Sequence, residues 1–117
     1  MNRAELIGRL GKDPEIRYSQ DGKPITSFSV ATTYKYKGEE TTTWHNIVAF
    51  GKLAEICGEY LTKGKQVFLA GRIQNRSYEK NGEKKYISEI IASEMEMLGS
   101  KDGEQKSQFS KREDQPF

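Results

Sequence analysis

An all-β domain with a single helix is what this 117-residue chain predicts, and three observations carry that expectation. Short strand-like runs recur with turn dipeptides between them. One segment, GKLAEICGEYLTKG, breaks the pattern with helical spacing. After Leu98 the composition turns to Gly, Ser, Lys, Gln, Asp and Glu, and periodicity ends.

Strands are expected near 4–10, 25–36, 43–50, 66–78 and 85–98, with ends uncertain by about 2–4 residues. Between the first two lies GKDPEIRYSQDGKP, whose Asp-Pro and Asp-Gly-Lys-Pro steps predict a long, ordered turn region. Lys37-Gly38 marks one hairpin tip and Asn81-Gly82 a second, the strongest hairpin signal in the chain. In the helical segment, Leu53, Ile56, Cys57, Tyr60 and Leu61 recur at amphipathic spacing and Gly64 closes it, so this face should cap a β core. Three strands, a helix and two strands is the order of an OB-fold, a five-stranded Greek-key barrel with one end plugged by a helix. Another small barrel, or a sheet crossed by a helix, fits the same order. Residues 1–98 form the expected domain. Residues 99–117 carry too little apolar surface to offset their ordering entropy and are expected to be a disordered, flexible tail.

Composition narrows the function classes. With 34% hydrophobic and 31% charged residues the core must be compact. Net charge is only +2, so any anionic partner must be met by local clusters of Lys and Arg rather than by the total. The one cysteine, Cys57, excludes an intrachain disulfide. No run approaches the roughly 20 apolar residues of a membrane span, and MNRAELIGRL lacks a signal-peptide pattern, so a soluble, cytoplasmic protein without membrane contact is expected. One His and one Cys make no multi-ligand zinc site, and no nucleophile triad can be drawn around His45. Glu39-Glu40 and Glu94/Glu96 read as solvated carboxylates, and TKGK at 62–65 lacks the spacing of a phosphate loop. No catalysis, metal or cofactor is expected.

Strand alternation points instead to a binding surface. In TTTWHNIVAF, Trp44, Asn46, Val48 and Phe50 face one way and His45, Ile47 and Ala49 the other. In QVFLAGRIQNRSY, Arg72, Gln74, Arg76 and Tyr78 share a face. Aromatic rings beside cations and amides suit nucleic acid, because bases stack on rings while cations sit near phosphates. Any one of these rings could instead fill the barrel, Phe50 above all. Against that, Tyr34 and Tyr36 alternate with Lys35 and Lys37, and Tyr78 lies between Arg76 and Lys80. Packing alone explains such interleaving poorly.

The strings LIGRLGKDPEIRY, WHNIVAFGKLAEICGEYLTKG and QVFLAGRI, in this order, resemble the bacterial and phage single-stranded DNA-binding proteins. The resemblance covers about residues 1–98 and returns at the Pro-Phe terminus. It implies an OB-fold that assembles as a homotetramer and binds single-stranded DNA with little sequence preference, in replication, recombination and repair near the nucleoid. By motif, Trp44, Phe50, Tyr36 and Tyr78 fall at stacking positions, and Arg3, Lys52, Lys63 and Arg76 at basic contacts to DNA, to which the alternation adds Arg72 and Lys35. His45 and Gln66 fall at subunit contacts. Tyr36 and Tyr78 stand where well-studied relatives carry tryptophan, and Asn46 and Gln74 where they carry arginine. The resemblance also implies a protein-binding tip at Glu113, Asp114, Pro116 and Phe117, which recruits replication and repair proteins. Its acidic run is reduced to two residues, with Lys111-Arg112 just upstream.

Overall fold

The computed structural model describes residues 1–98. Within it run β1 (Ala4–Leu10), β2 (Glu15–Tyr18), β3 (Pro24–Tyr36), β4 (Glu39–Phe50), α1 (Gly51–Tyr60), β5 (Gln66–Lys80) and β6 (Glu83–Leu98). The expectations for the tail, and for Glu113, Asp114, Pro116 and Phe117, lie outside the described residues.

Strands pair in the order β1-β5-β6-β4-β3, and β3 returns to β1 through Arg9↔Ala31 and Leu10↔Val30. Five strands thereby close into a barrel, the OB-fold that the element order predicts. Closure brings backbones close together. A side chain at Gly8 would strike the Ala31 carbonyl, and one at Gly71 the Ile91 carbonyl. Beside Gly71, the pairs Gly71↔Ala92 and Ala70↔Glu94 leave Ser93 as an extra residue in β6. This bulge turns the strand at the barrel rim, and the Ser93 hydroxyl donates to the Ala70 carbonyl at 3.2 Å.

Alternating residues fill the bore. Leu10, Val30, Ile47, Val67, Leu69 and Ile90 are buried inside it, each stabilising the fold by about 1.5–3 kcal/mol. Helix α1 closes one end with Ala54, Cys57 and Leu61, and the Thr26 hydroxyl ties it to β3 by donating to the Ala54 carbonyl at 2.6 Å. Burial pushes the Cys57 thiol up to about 11. At the barrel end lined by Leu6, Thr32, His45, Ile73 and Ile90 there is an open cavity of about 530 Å³.

Beyond the barrel, β3–β4 and β5–β6 continue as two hairpin arms. Their tips take the predicted turns. Lys37 and Gly38 have φ of 51° and 82°, Asn81 and Gly82 of 54° and 80°, the double positive φ of a two-residue hairpin turn.

Three expectations need correction. The expected turn region 11–24 contains β2, which pairs with Pro24–Ser27 of β3. Its four residues are all exposed, so no alternation marks them. Tyr60 is half exposed rather than part of the helix's inner face, because the helix ends there and Leu61 turns inward instead. Phe50 is not core, since it ends β4 on the outer face and stays 51% exposed.

Candidate nucleic-acid interface

Strand order decides what the alternation could not. Strand β6 lies between β5 and β4, pairing parallel with β4 through Asn46↔Glu89, Ile47↔Ile90 and Val48↔Ile91. It pairs antiparallel with β5 through Gln74↔Glu89 and Arg76↔Ile87. Paired residues share a face. Trp44, Asn46 and Phe50 of β4 therefore lie on the same outer surface as Arg72, Gln74, Arg76 and Tyr78 of β5, with Ile87, Glu89 and Ile91 between them. Trp44 is 57% exposed and Tyr78 43%, so neither ring fills the barrel.

Trp44 is held from below. A Cβ on Gly11 would sit 2.7 Å from Cη2 of the Trp44 ring and closer still to Cζ3, so the indole rests on the space that this glycine leaves. The Gly11 backbone is itself fixed by its N–H donating to the Ser29 carbonyl at 3.1 Å. The ring thus has a fixed floor and an open upper face, the form of a stacking platform.

Tyr36 does not share that surface. In the β3–β4 arm, Trp44 pairs with Ala31 and Tyr36 with Glu39 in one unbroken register, which puts Tyr36 on the reverse of the ribbon. There it stacks on Tyr34, ring centroids 6.4 Å apart and 12° from parallel, with the Lys37 ammonium 5.5 Å from its centroid. Lys35, by alternation, does lie on the Trp44 side, opposite Glu40.

The cations divide into free and engaged. Lys52 follows Phe50 at the start of α1, and Lys63 sits in the turn before β5, its backbone N–H donating to Asp13 Oδ1 at 2.8 Å; both side chains are exposed. Arg72 donates to Gln74 Oε1 at 3.3 Å. Arg3 precedes β1, whose Ala4↔Gly71 register sets it beside Arg72, and it is bonded to Glu5 at 2.9 Å and Glu94 at 3.4 Å. Its hydrogen bond to Glu5 and the charges of both acids raise its pKa. Arg76 is the most constrained. Its Nε and Nη2 donate to the two carboxylate oxygens of Glu89 at 3.0 and 3.1 Å. These bonds and the Glu89 charge raise its pKa.

Sequence reasoning missed Glu89, yet the signal was present. Counting back from the two-residue Asn81-Gly82 turn pairs Arg76 with Ile87 and puts Glu89 on the diagonal, within reach of a long side chain. Gly11 carried no such signal.

The two expected subunit contacts are apart. His45 is half-buried in the open barrel end, its Nε2 2.8 Å from Thr32 Oγ1, beside Ala4–Ile7 of β1. Gln66 pairs with Arg9, toward the other end of that strand. Strand β1 pairs with β5 along one side, but with β3 only through Arg9 and Leu10 on the other. Residues 4–7 therefore present an open edge, and Ile7 among them is 55% exposed.

Among the described residues no group of three or more His, Cys, Asp or Glu could hold a metal ion, and no helix is long and apolar enough to cross a membrane.

The chain is similar to known single-stranded DNA-binding proteins. Single-stranded DNA-binding protein 1 of Xylella fastidiosa is 50% identical over 108 residues, covering 86% of this chain and 79% of that protein. Single-stranded DNA-binding protein 1 of Chlorobaculum tepidum is 48% identical over 109 residues, covering 87% and 67%. Among solved structures, the Plasmodium falciparum SSB complex with ssDNA superposes with a TM-score of 0.80 at 31% identity, over 84% of this chain and 95% of that one. The model of the Single-strand binding protein family matches residues 1–98, and the chain belongs to that family.

Proposed function

We propose that this protein binds single-stranded DNA without catalysis, largely independent of sequence, and protects it during replication, recombination and repair. The observation that carries this reading is the joined outer surface of β4, β6 and β5, where the exposed rings of Trp44, Phe50 and Tyr78 share a face with Arg72, Gln74 and Arg76. Rings on a rigid sheet stack bases of any identity, which gives affinity without a sequence code. Lys35, Lys52 and Lys63 supply charge for the phosphates. Tyr36, on the reverse of its arm, meets DNA in this reading only where the strand passes around the ribbon.

In the same reading the protein works as a homotetramer. The open edge of β1, the exposed Ile7 and the cavity around His45 support an assembly that covers them, because an unpaired edge invites a second strand. The tip at Glu113, Asp114, Pro116 and Phe117 recruits replication, recombination and repair proteins. Phe117 enters an apolar pocket on the partner while the carboxylates meet a basic rim. The work is done in the cytoplasm at the nucleoid.

Titrating the protein with oligo-dT of several lengths, and reading Trp44 emission, tests the proposal. Trp44 is the one tryptophan, so its quenching at saturating DNA reports a base on this surface. Equal affinity for RNA or duplex DNA in competition would move the assignment to a different nucleic acid.

A further inference from the structure

Glu89 is an unusual residue for a surface that meets a polyanion. It lies on the outer face of β6, backbone-paired with Asn46 on one side and Gln74 on the other, midway between the Trp44 and Tyr78 strands. Its side chain is only 9% exposed, while the Arg76 side chain covering it is 51% exposed. Among the described residues it is the one buried acid. Both carboxylate oxygens are taken by Arg76, and the pair forms one wall of a shallow hollow of about 240 Å³ shared with Lys12, Ser27, Ser29 and Asn46.

We propose that Glu89 limits the affinity of this surface by keeping Arg76 as a compensated charge instead of a free phosphate contact. The inference rests on the single-stranded DNA reading above and adds a residue that sets its strength. A phosphate approaching Arg76 meets a guanidinium whose Nε–H and one Nη2–H already bind a carboxylate, and a pair whose net charge is zero. Breaking that pair would leave an acid uncompensated in a mostly buried place, which is costly. DNA therefore passes over the pair without displacing a counterion at Arg76. Binding stays weaker and less salt-sensitive than the number of cations on the face implies.

The test is the slope of log affinity against log salt for oligo-dT, read through Trp44 emission, in the full-length protein and the variants Glu89→Gln, Arg76→Gln and the double variant. Each neutralised phosphate contributes about 0.7 to this slope for single strands. The proposal expects Glu89→Gln to bind more tightly at low salt with a slope steeper by about 0.7, Arg76→Gln to bind more weakly because it leaves the Glu89 charge uncompensated, and the double variant, uncharged at both positions, to keep the wild-type slope. The double variant also serves if Glu89→Gln does not fold. The proposal is overturned if Glu89→Gln binds more weakly with an unchanged slope, or if the double variant flattens the wild-type slope by about 0.7. Either result makes Arg76 an ordinary phosphate contact that Glu89 merely positions. If the wild-type protein shows no salt-dependent binding to oligo-dT, the DNA reading itself fails, and this inference with it.

Discussion

Gly11→Ala should weaken DNA binding without unfolding the protein. The added methyl group would sit 2.7 Å from Cη2 of Trp44, whereas carbon atoms rest at about 3.5–4.0 Å. The ring must withdraw by about 1 Å or more, because the Gly11 backbone is pinned to Ser29 and cannot yield easily. Turning an indole off its rotamer costs about 0.5–1.5 kcal/mol. In the free protein the ring escapes the clash by tilting, and returning it to the stacking orientation when DNA binds restores that cost. Affinity should therefore fall by about 2- to 12-fold. Removing the ring altogether, in Trp44→Ala, should cost about 1–3 kcal/mol, the worth of one stacked base. Two measurements check this: the unbound emission maximum of Trp44, which should move in Gly11→Ala, and a titration with oligo-dT. The substitution lies outside the barrel core, so the melting temperature should change little. Wild-type emission together with wild-type affinity would refute the platform role assigned to Gly11.

Other consequences are equally direct. Cys57 is fully buried with its thiol raised to about 11, so it should resist a thiol reagent at pH 8 in the native protein and react promptly in denaturant. Thr26→Val removes the hydroxyl that holds α1 to β3, and should lower stability by about 1 kcal/mol in chemical denaturation with little effect on DNA affinity. Replacing His45 with a larger aromatic should reduce the assembled mass in light scattering more than it reduces stacking, since the side chain is on the opposite strand face from Trp44. Deleting residues 114–117 should leave oligo-dT affinity unchanged or slightly raised, because the lost negative charge only competes with phosphates. The same deletion should abolish pull-down of helicases and nucleases, and retention of those partners would remove the recruiting role of Phe117.

How far the sequence reached depends on what each signal measures. Alternation reports one strand at a time, so it separated Trp44 from His45 correctly but could not say which β5 face would join them. That join is made by β6, through pairings far apart in sequence. The Lys37-Gly38 turn already implied that Tyr36 and Trp44 lie on opposite faces, because a two-residue turn fixes register. The motif groups Tyr36 with Trp44 as stacking residues, whereas the register sets the two rings on opposite faces of the ribbon. Phe50 misled by size: a large apolar ring suggests core, yet its parity placed it with Trp44, and parity decided. Tyr60 misled in the opposite way, since helical spacing extends only as far as the helix does. Strand β2 was illegible because a short, wholly exposed strand is held by backbone pairing to β3, and backbone pairing leaves no pattern in side chains.

The central claim is that single-stranded DNA lies across the outer face of β4, β6 and β5. Ultraviolet cross-linking of oligo-dT to the full-length protein, with the adducts located by mass spectrometry, tests it most directly. The chain carries its own controls, because Tyr18 on β2 and Tyr60 at the end of α1 are about as exposed as Trp44 and Phe50 but lie off that face. Adducts on Trp44, Phe50 and Tyr78, with Tyr18 and Tyr60 unmodified, are expected. Adducts confined to Tyr18, Tyr60 or the outer side of β1 around Ile7 would contradict it.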